Sequence, residues 1–378
     1  MKEAINPGSV PIRVLIGDDS AFMRTAIRRL LEADPDIKVI GTAEDGRAAV
    51  ERCAELDPDV VTLDIEMPRM TGLQALQRIM QELPRPVIMV SSLTSQGAEA
   101  TLEALSLGAF DCIPKPMSHA SLDIVRIQED LIGKVKAAFA NRRRYAEIVS
   151  APVVPQVITQ IPHAATPLPG QATAPVVALG CSTGGPAALQ QILPALPANL
   201  PASMLIVQHM PVGFTAPFAR RLNSLCQVRV EEASADQLLE PGLVLIAPAG
   251  QHATVYRKVP GKYAVRLSQD RQGMLHMPSV DVMMLSVAEA CGQSAIGVIL
   301  TGMGADGSLG MKALHSCGAW TIGQDERSCV VYGMPRACAE MRVLNRTAPL
   351  GSIASEIIKA LPRASSRQAE SANAAVKA

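Results

Sequence analysis

Short apolar runs alternate with amphipathic segments in the first third of the chain. The runs 14–16, 37–40, 60–63, 87–90 and 110–113 are predominantly apolar, broken by Lys38, Thr62 and Asp111, and of strand length. Helical spacing fills the intervals at 20–33, 47–56, 73–81 and 98–107, and a last such segment leads into Phe139. In the first of these, Phe22, Ala26, Ile27, Leu30 and Leu31 fall on one predicted face. Strands that are apolar on both faces and alternate with helices specify a parallel sheet covered on both sides. The pattern predicts a five-stranded α/β domain of the flavodoxin-like kind over residues 11–140.

The same pattern returns later with different chemistry at its strand ends. The run 176–179 leads into Gly180-Cys181-Ser182-Thr183-Gly184-Gly185 and a helical pattern beyond it. The run 204–207 leads into Gln208-His209-Met210-Pro211, and 295–300 into Thr301-Gly302-Met303-Gly304-Ala305-Asp306-Gly307. A second, doubly wound and mostly parallel α/β domain is expected over 175–363. In such sheets ligands meet the carboxyl ends of the strands.

Between these domains, 141–174 opens with Arg142, Arg143 and Arg144 and turns rich in Pro, Ala and Thr, which reads as a connector. The arginines read as a solvated helix end, and the small polar stretch 364–378 as a disordered tail. The length of 378 residues accommodates two cores. Lys plus Arg and Asp plus Glu number 35 each, so total charge points to neither nucleic acid nor an anionic membrane as partner. Eight scattered cysteines without a C-x-x-C pair fit a reduced compartment. No apolar run approaches the roughly 18 residues of a membrane span, and residues 1–11 lack an apolar signal core. The expectation is a cytoplasmic protein with no membrane insertion.

At the strand ends of the first domain lie Asp18, Asp19, Asp64, Ser91 and Lys115. Converging carboxylates repel unless a cation joins them, and an oxygen donor set suits Mg²⁺. Helix capping would account for Asp18 or Asp19 singly but not for the lysine. This constellation resembles the receiver domain of two-component response regulators. The resemblance implies that Asp64 accepts a phosphoryl group from a histidine kinase. It also implies that Asp18, Asp19, Asp64 and the Glu66 carbonyl hold Mg²⁺, that Ser91 and Lys115 bind the phosphate, and that the Lys115–Pro116 bond is cis. Cys112 stands where receivers usually carry an aromatic switch residue.

In the second domain, Ser182, His209 and Asp306 form the inventory of nucleophile, general base and orienting acid. Each has a plainer reading: Ser182 as a helix cap, His209 as structural, Asp306 as half of an Asp-Gly turn. Asp281 in Pro278-Ser279-Val280-Asp281 is the rival acid, but it opens a helical pattern and is expected to cap or to touch substrate. Gly180-x-Ser182-x-Gly184 also fits a nucleophile elbow, although the order serine, histidine, aspartate is not that of α/β-hydrolases. Gly302 to Gly307 satisfies a dinucleotide fingerprint, yet Asp306 would then sit where a pyrophosphate must bind.

Together with Cys329-Val330-Val331-Tyr332-Gly333-Met334-Pro335, these motifs resemble the chemotaxis protein-glutamate methylesterases across both domains in order. The resemblance implies a phosphorylation-activated esterase and glutamine deamidase acting on chemoreceptor cytoplasmic domains, with a chemotaxis histidine kinase as phosphodonor and no cofactor at the esterase site. Ser182, His209 and Asp306 are its implied triad, Thr183 helps position the histidine, and the Met303 amide faces the oxyanion. Met277 replaces an expected arginine before Pro278. The competing reading keeps a receiver but makes the second domain a binding module.

Overall fold

The computed structural model describes residues 10–92, 94–115, 121–150, 174–271 and 273–362. Of the connector expected at 141–174, residues 151–173 lie outside the described residues, as do the tail at 364–378 and the Lys115–Pro116 bond. The chain divides into two compact units at residues 152 and 153, each described by itself.

In the first unit, β1 (Ile12–Gly17), α1 (Ala21–Glu32), β2 (Ile37–Ala43), α2 (Gly46–Leu56), β3 (Val60–Asp64), α3 (Gly72–Glu82), β4 (Val87–Ser91), α4 (Ser95–Ser106), β5 (Asp111–Pro114) and α5 (Ser121–Ser150) alternate strictly. The sheet order is β2-β1-β3-β4-β5, and every pairing is parallel. Inner strands β3 and β4 are buried at each residue, whereas β2 at the edge alternates, as double coverage of the sheet centre requires. Ser20, Asp45, Thr71 and Thr94 cap the helices that follow the first four strands, each accepting a hydrogen bond from an amide of the first turn.

Two expectations change here. Of the predicted face of α1, Ile27 and Leu31 are buried, but Phe22 is 70% exposed and Met23 is buried in its place. The i, i+4, i+8 stripe starts one residue later than the apolar pattern suggested. The last helix also continues through Ser150, so the arginines at 142–144 are not a helix end. Arg142 lies over the Phe139 ring at 3.9 Å and pairs with Asp59 at 3.6 Å.

The second unit comprises β6 (Val176–Cys181), α6 (Gly185–Ile192), β7 (Ser203–Gln208), α7 (Thr215–Leu225), β8 (Arg229–Glu232), β9 (Leu243–Ile246), β10 (His252–Val259), β11 (Lys262–Ser268), α8 (Val280–Cys291), β12 (Ile296–Ile299), α9 (Ser308–Ser316), β13 (Trp320–Gln324), α10 (Met334–Glu340) and β14 (Arg346–Ala348). Its seven-stranded sheet runs β14-β13-β12-β6-β7-β9-β8, with parallel pairings throughout. Strands β10 and β11 form a separate antiparallel ribbon. The three strands with chemically marked ends are therefore neighbours, β12-β6-β7, at the centre of the sheet. Apolar side chains of β6, β7 and β9 join those of α8 and the ribbon in one buried cluster.

Candidate active site

The loops leaving β6, β7 and β12 meet because their strands are adjacent and parallel. Ser182 follows β6, and its amide donates to the Thr301 carbonyl at 3.0 Å, which ties it to the end of β12. It does not cap α6: the N-cap is Gly184 at φ 78°, with no side-chain cap. Gly302 lies directly against the serine, since a Cβ there would stand 2.9 Å from Ser182 Cβ and 2.2 Å from Met334 Sδ. Its turn is clamped by the segment at 331–334: Gly302 N–H donates to the Val331 carbonyl, and Gly333 and Met334 N–H donate to the Gly302 carbonyl. Thus the Val331 to Met334 motif holds the Met303 turn beside Ser182. Thr183 is buried, and its carbonyl accepts from Thr301 Oγ1 at 2.9 Å.

Gln208, fully buried at the end of β7, binds the first two loops together. Its Nε2 donates to the Ser182 carbonyl at 3.0 Å and to the His209 carbonyl at 2.8 Å. Its Oε1 accepts from the Cys181 thiol at 3.1 Å. Sequence reasoning passed over this glutamine, which carries no charge to mark it.

His209 Nε2 pairs with Asp306 Oδ2 at 2.9 Å, while Nδ1 is buried and has no hydrogen-bond partner. The structure thus closes the histidine–aspartate link and leaves the serine–histidine link open. Asp306 is not a turn residue alone. Its Oδ1 accepts from Ser279 Oγ at 2.8 Å and Asp281 N–H at 2.9 Å, and its Oδ2 from Val280 N–H at 2.8 Å. Burial pushes its pKa up, but the bond and charge of His209 and the amides of α8 outweigh that and hold the carboxyl well below the ordinary range. With its carboxylate spent on a helix N-terminus and a histidine, the loop from Gly302 to Gly307 is no pyrophosphate cradle.

Asp281 caps a helix as expected, but not its own. It lies in the first turn of α8, whose cap is Ser279, and sends its carboxylate to α9, accepting from Gly310 N–H at 2.8 Å. The two helices exchange acids: Asp306 satisfies the start of α8 and Asp281 the start of α9. Two further histidines belong to the site and went unmarked in the sequence. His276 stacks on His209 with ring centroids 4.1 Å apart. His252, fully buried, accepts at Nδ1 from Ser279 N–H at 3.2 Å. Met277, the departure before Pro278, accepts at its carbonyl from Gly250 N–H.

In the first unit, Asp18, Asp19 and Asp64 each offer a carboxylate oxygen within 4.8 Å of the others. Lys115 Nζ lies 2.7 Å from Asp64 Oδ2 and 3.9 Å from Asp18 Oδ2. Asp18 Oδ1 accepts from Ser20 N–H, but the buried Oδ2 has no hydrogen-bond partner. Burial, and then the charge of Asp64, push the Asp18 pKa up to about 6; burial also raises that of Asp64, against the pull of Lys115. A hard divalent cation fits this donor set, because it would relieve the repulsion and engage the orphaned oxygen. Glu66 is exposed, with its N–H directed to Asp64 Oδ1 at 3.4 Å. Ser91 is buried at the end of β4, and its hydroxyl donates to the Gly97 and Ser92 carbonyls. The buried Cys112 stands on β5, its carbonyl accepting from Lys134 Nζ at 2.6 Å.

These two sites on two parallel α/β units define a receiver joined to a serine hydrolase-like domain. Residues 14–125 match the response regulator receiver domain, and residues 177–357 match CheB methylesterase. The chain is 48% identical over 365 residues to protein-glutamate methylesterase/protein-glutamine glutaminase 2 of Nitratidesulfovibrio vulgaris, covering 93% of this chain and 99% of that protein. It is 47% identical over 356 residues to the protein-glutamate methylesterase/protein-glutamine glutaminase of Symbiobacterium thermophilum, with coverages of 93% and 97%. The crystal structure of the Thermotoga maritima CheB methylesterase catalytic domain is similar at 37% identity and a TM-score of 0.48, covering 50% of this chain and 99% of that one. The chain belongs to the CheB methylesterase family, with an N-terminal receiver domain.

Proposed function

We propose that the chain is a phosphorylation-activated protein-glutamate methylesterase and protein-glutamine glutaminase of chemotaxis adaptation, acting in the cytoplasm on chemoreceptor cytoplasmic domains. Residues 175–363 carry the esterase and 11–140 the receiver core, which the helix α5 extends to Ser150, with 151–174 as the connector. The single observation that carries the reading is the His209–Asp306 pair beside Ser182, with Nε2 committed to the acid and Nδ1 left as the basic nitrogen.

In this reading His209 Nδ1 takes the Ser182 hydroxyl proton as Oγ attacks the γ-ester carbonyl. The proton on Nε2 stays in the bond to Asp306, whose depressed pKa keeps it an anion that stabilises the imidazolium. The Met303 N–H stabilises the oxyanion, and Thr183 supports the base. His209 then gives its proton to the leaving methoxide, methanol departs, and water activated by the same nitrogen releases the glutamate carboxylate. A glutamine substrate undergoes the same attack with ammonia leaving. No cofactor enters these steps.

Asp64 accepts a phosphoryl group from a chemotaxis histidine kinase. Mg²⁺ held by Asp18, Asp19, Asp64 and the Glu66 carbonyl would neutralise charge on the transferring group. Lys115 and Ser91 bind the phosphorylated state. Domain order supports a receiver that restrains the esterase until Asp64 is phosphorylated. The decisive assay is methanol release from methylated receptor membranes with and without a small-molecule phosphodonor. Ser182→Ala is expected to lower release by several orders of magnitude while the protein still folds and accepts phosphate; undiminished release rules the esterase reading out.

A further inference from the structure

The hydrogen bond to Asp306 fixes His209 at one atom, Nε2. One bond at one ring atom does not fix the ring plane, and the terminal torsion of a histidine has broad wells. Nδ1 has no hydrogen-bond partner to supply a second anchor. The face of the ring, however, is covered: His276 stacks on it at 4.1 Å between centroids and 19° between planes.

His276 stands on the segment that also holds Asp306. One residue on, the Met277 carbonyl accepts from Gly250 N–H at 3.0 Å. Three residues on, Ser279 Oγ donates to Asp306 Oδ1, and the amides of Val280 and Asp281 follow. A single stretch from 276 to 281 therefore presents the carboxylate to the edge of the His209 ring and an imidazole to its face. We infer that His276 is a positioning residue for the base. Its stacked ring holds the His209 plane in which Nδ1 meets the Ser182 hydroxyl, and its π face lies against the imidazolium that forms when the proton moves. The inference rests on the reading of Ser182 and His209 as nucleophile and base.

The test uses the full chain and two rates: methanol release from methylated receptor, and labelling of Ser182 by a fluorophosphonate, which reports nucleophile competence without receptor binding. His276→Ala is expected to lower kcat and labelling together by ~10-fold with KM unchanged, the size of a lost aromatic pair. His276→Phe keeps a flat ring and is expected to recover all but ~3-fold of both. An unimpaired alanine variant overturns the inference, as does a phenylalanine variant no better than alanine. If alanine prevents folding, the phenylalanine variant carries the test alone, and a loss of labelling in a folded phenylalanine protein overturns it. A Ser182→Ala control separates the two levels: methanol release that survives it refutes the esterase reading itself, whereas release lost there but intact in His276→Ala refutes only the positioning role.

Discussion

Asp18, fully buried, and Asp306, largely buried, are both carboxylates at the carboxyl rim of a parallel sheet, yet their surroundings drive them in opposite directions. Asp306 has donors on both oxygens: a hydroxyl and an amide on one, an amide and an imidazole on the other. Its carboxyl is held in the ionised form. Asp18 has one amide on Oδ1, no hydrogen bond on Oδ2, where Lys115 Nζ stands 3.9 Å away, and the anion of Asp64 nearby, so burial and that charge raise its pKa to about 6. Burial is common to both and cannot be the cause of the difference; the donors decide it. The first site is electrostatically complete and waits for a proton to move within it. The second is incomplete and suited to receive charge from outside, first a cation and then a phosphoryl group.

The comparison breaks most visibly at Asp306. In Asp306→Asn one carboxylate oxygen becomes an NH₂ that faces donors, either a backbone amide or the His209 N–H. The variant is expected to lose ~10³- to 10⁴-fold in kcat for methanol release, as removing the orienting acid of a triad does. Activity within tenfold of the parent would show that Asp306 is a structural cap for α8 and no more. On the other side, Asp64→Asn is expected to abolish stimulation by phosphodonor. Stimulation that persists would move the phosphoacceptor elsewhere.

Removing a charge from the incomplete site is expected to stabilise it. Asp18→Asn eliminates repulsion with Asp64 and should raise the hydrogen-exchange protection of β1 and β3 amides by ~1–2 kcal/mol without divalent cation. Added Mg²⁺ should then protect the parent and not the variant, because only the parent retains the full donor set. Equal protection of both by Mg²⁺ would place the cation away from Asp18.

The fold was legible where strands are apolar on both faces: β3, β4, β6, β7 and β12 stand out as runs, and their ends named Ser182, His209 and Asp64. The ribbon of β10 and β11 was missed because Tyr256, Arg257, Lys258 and Lys262 interrupt its apolar positions, and both strands stand outside the seven-stranded sheet. Phe22 misled because an aromatic at helical spacing reads as core, whereas its neighbour Met23 takes that place. The partners of Asp306 were illegible for a different reason. Ser279, Val280 and Asp281 act through a hydroxyl and two backbone amides some 25 residues away in sequence, and amides leave no trace in residue type. Pro278-Ser279 did signal a helix start, which is where such amides are found.

The smallest effect tests how many donors the complete site needs. Ser279→Ala removes one donor from Asp306 and the side-chain cap of α8, and should cost ~1–2 kcal/mol at neutral pH. Its pH dependence separates the two losses. A carboxyl with a depressed folded-state pKa contributes stability above its unfolded value of ~3.9, and that contribution is lost as pH falls through the folded-state value. Losing a donor moves the folded pKa of Asp306 upward, so this part of the cost is constant while Asp306 is ionised in both folded proteins and fades only in strong acid, as pH falls below the variant's folded-state value toward the parent's. The cap to Val282 N–H at 3.3 Å is a neutral hydroxyl contact and persists at every pH. Urea unfolding followed by Trp320, the single tryptophan and a residue of β13 in the esterase sheet, reads this unit. A gap between parent and variant that narrows on acidification without closing is the expected result. A gap independent of pH would mean that Ser279 serves α8 alone and that the His209 bond and the two amides suffice to hold Asp306 ionised.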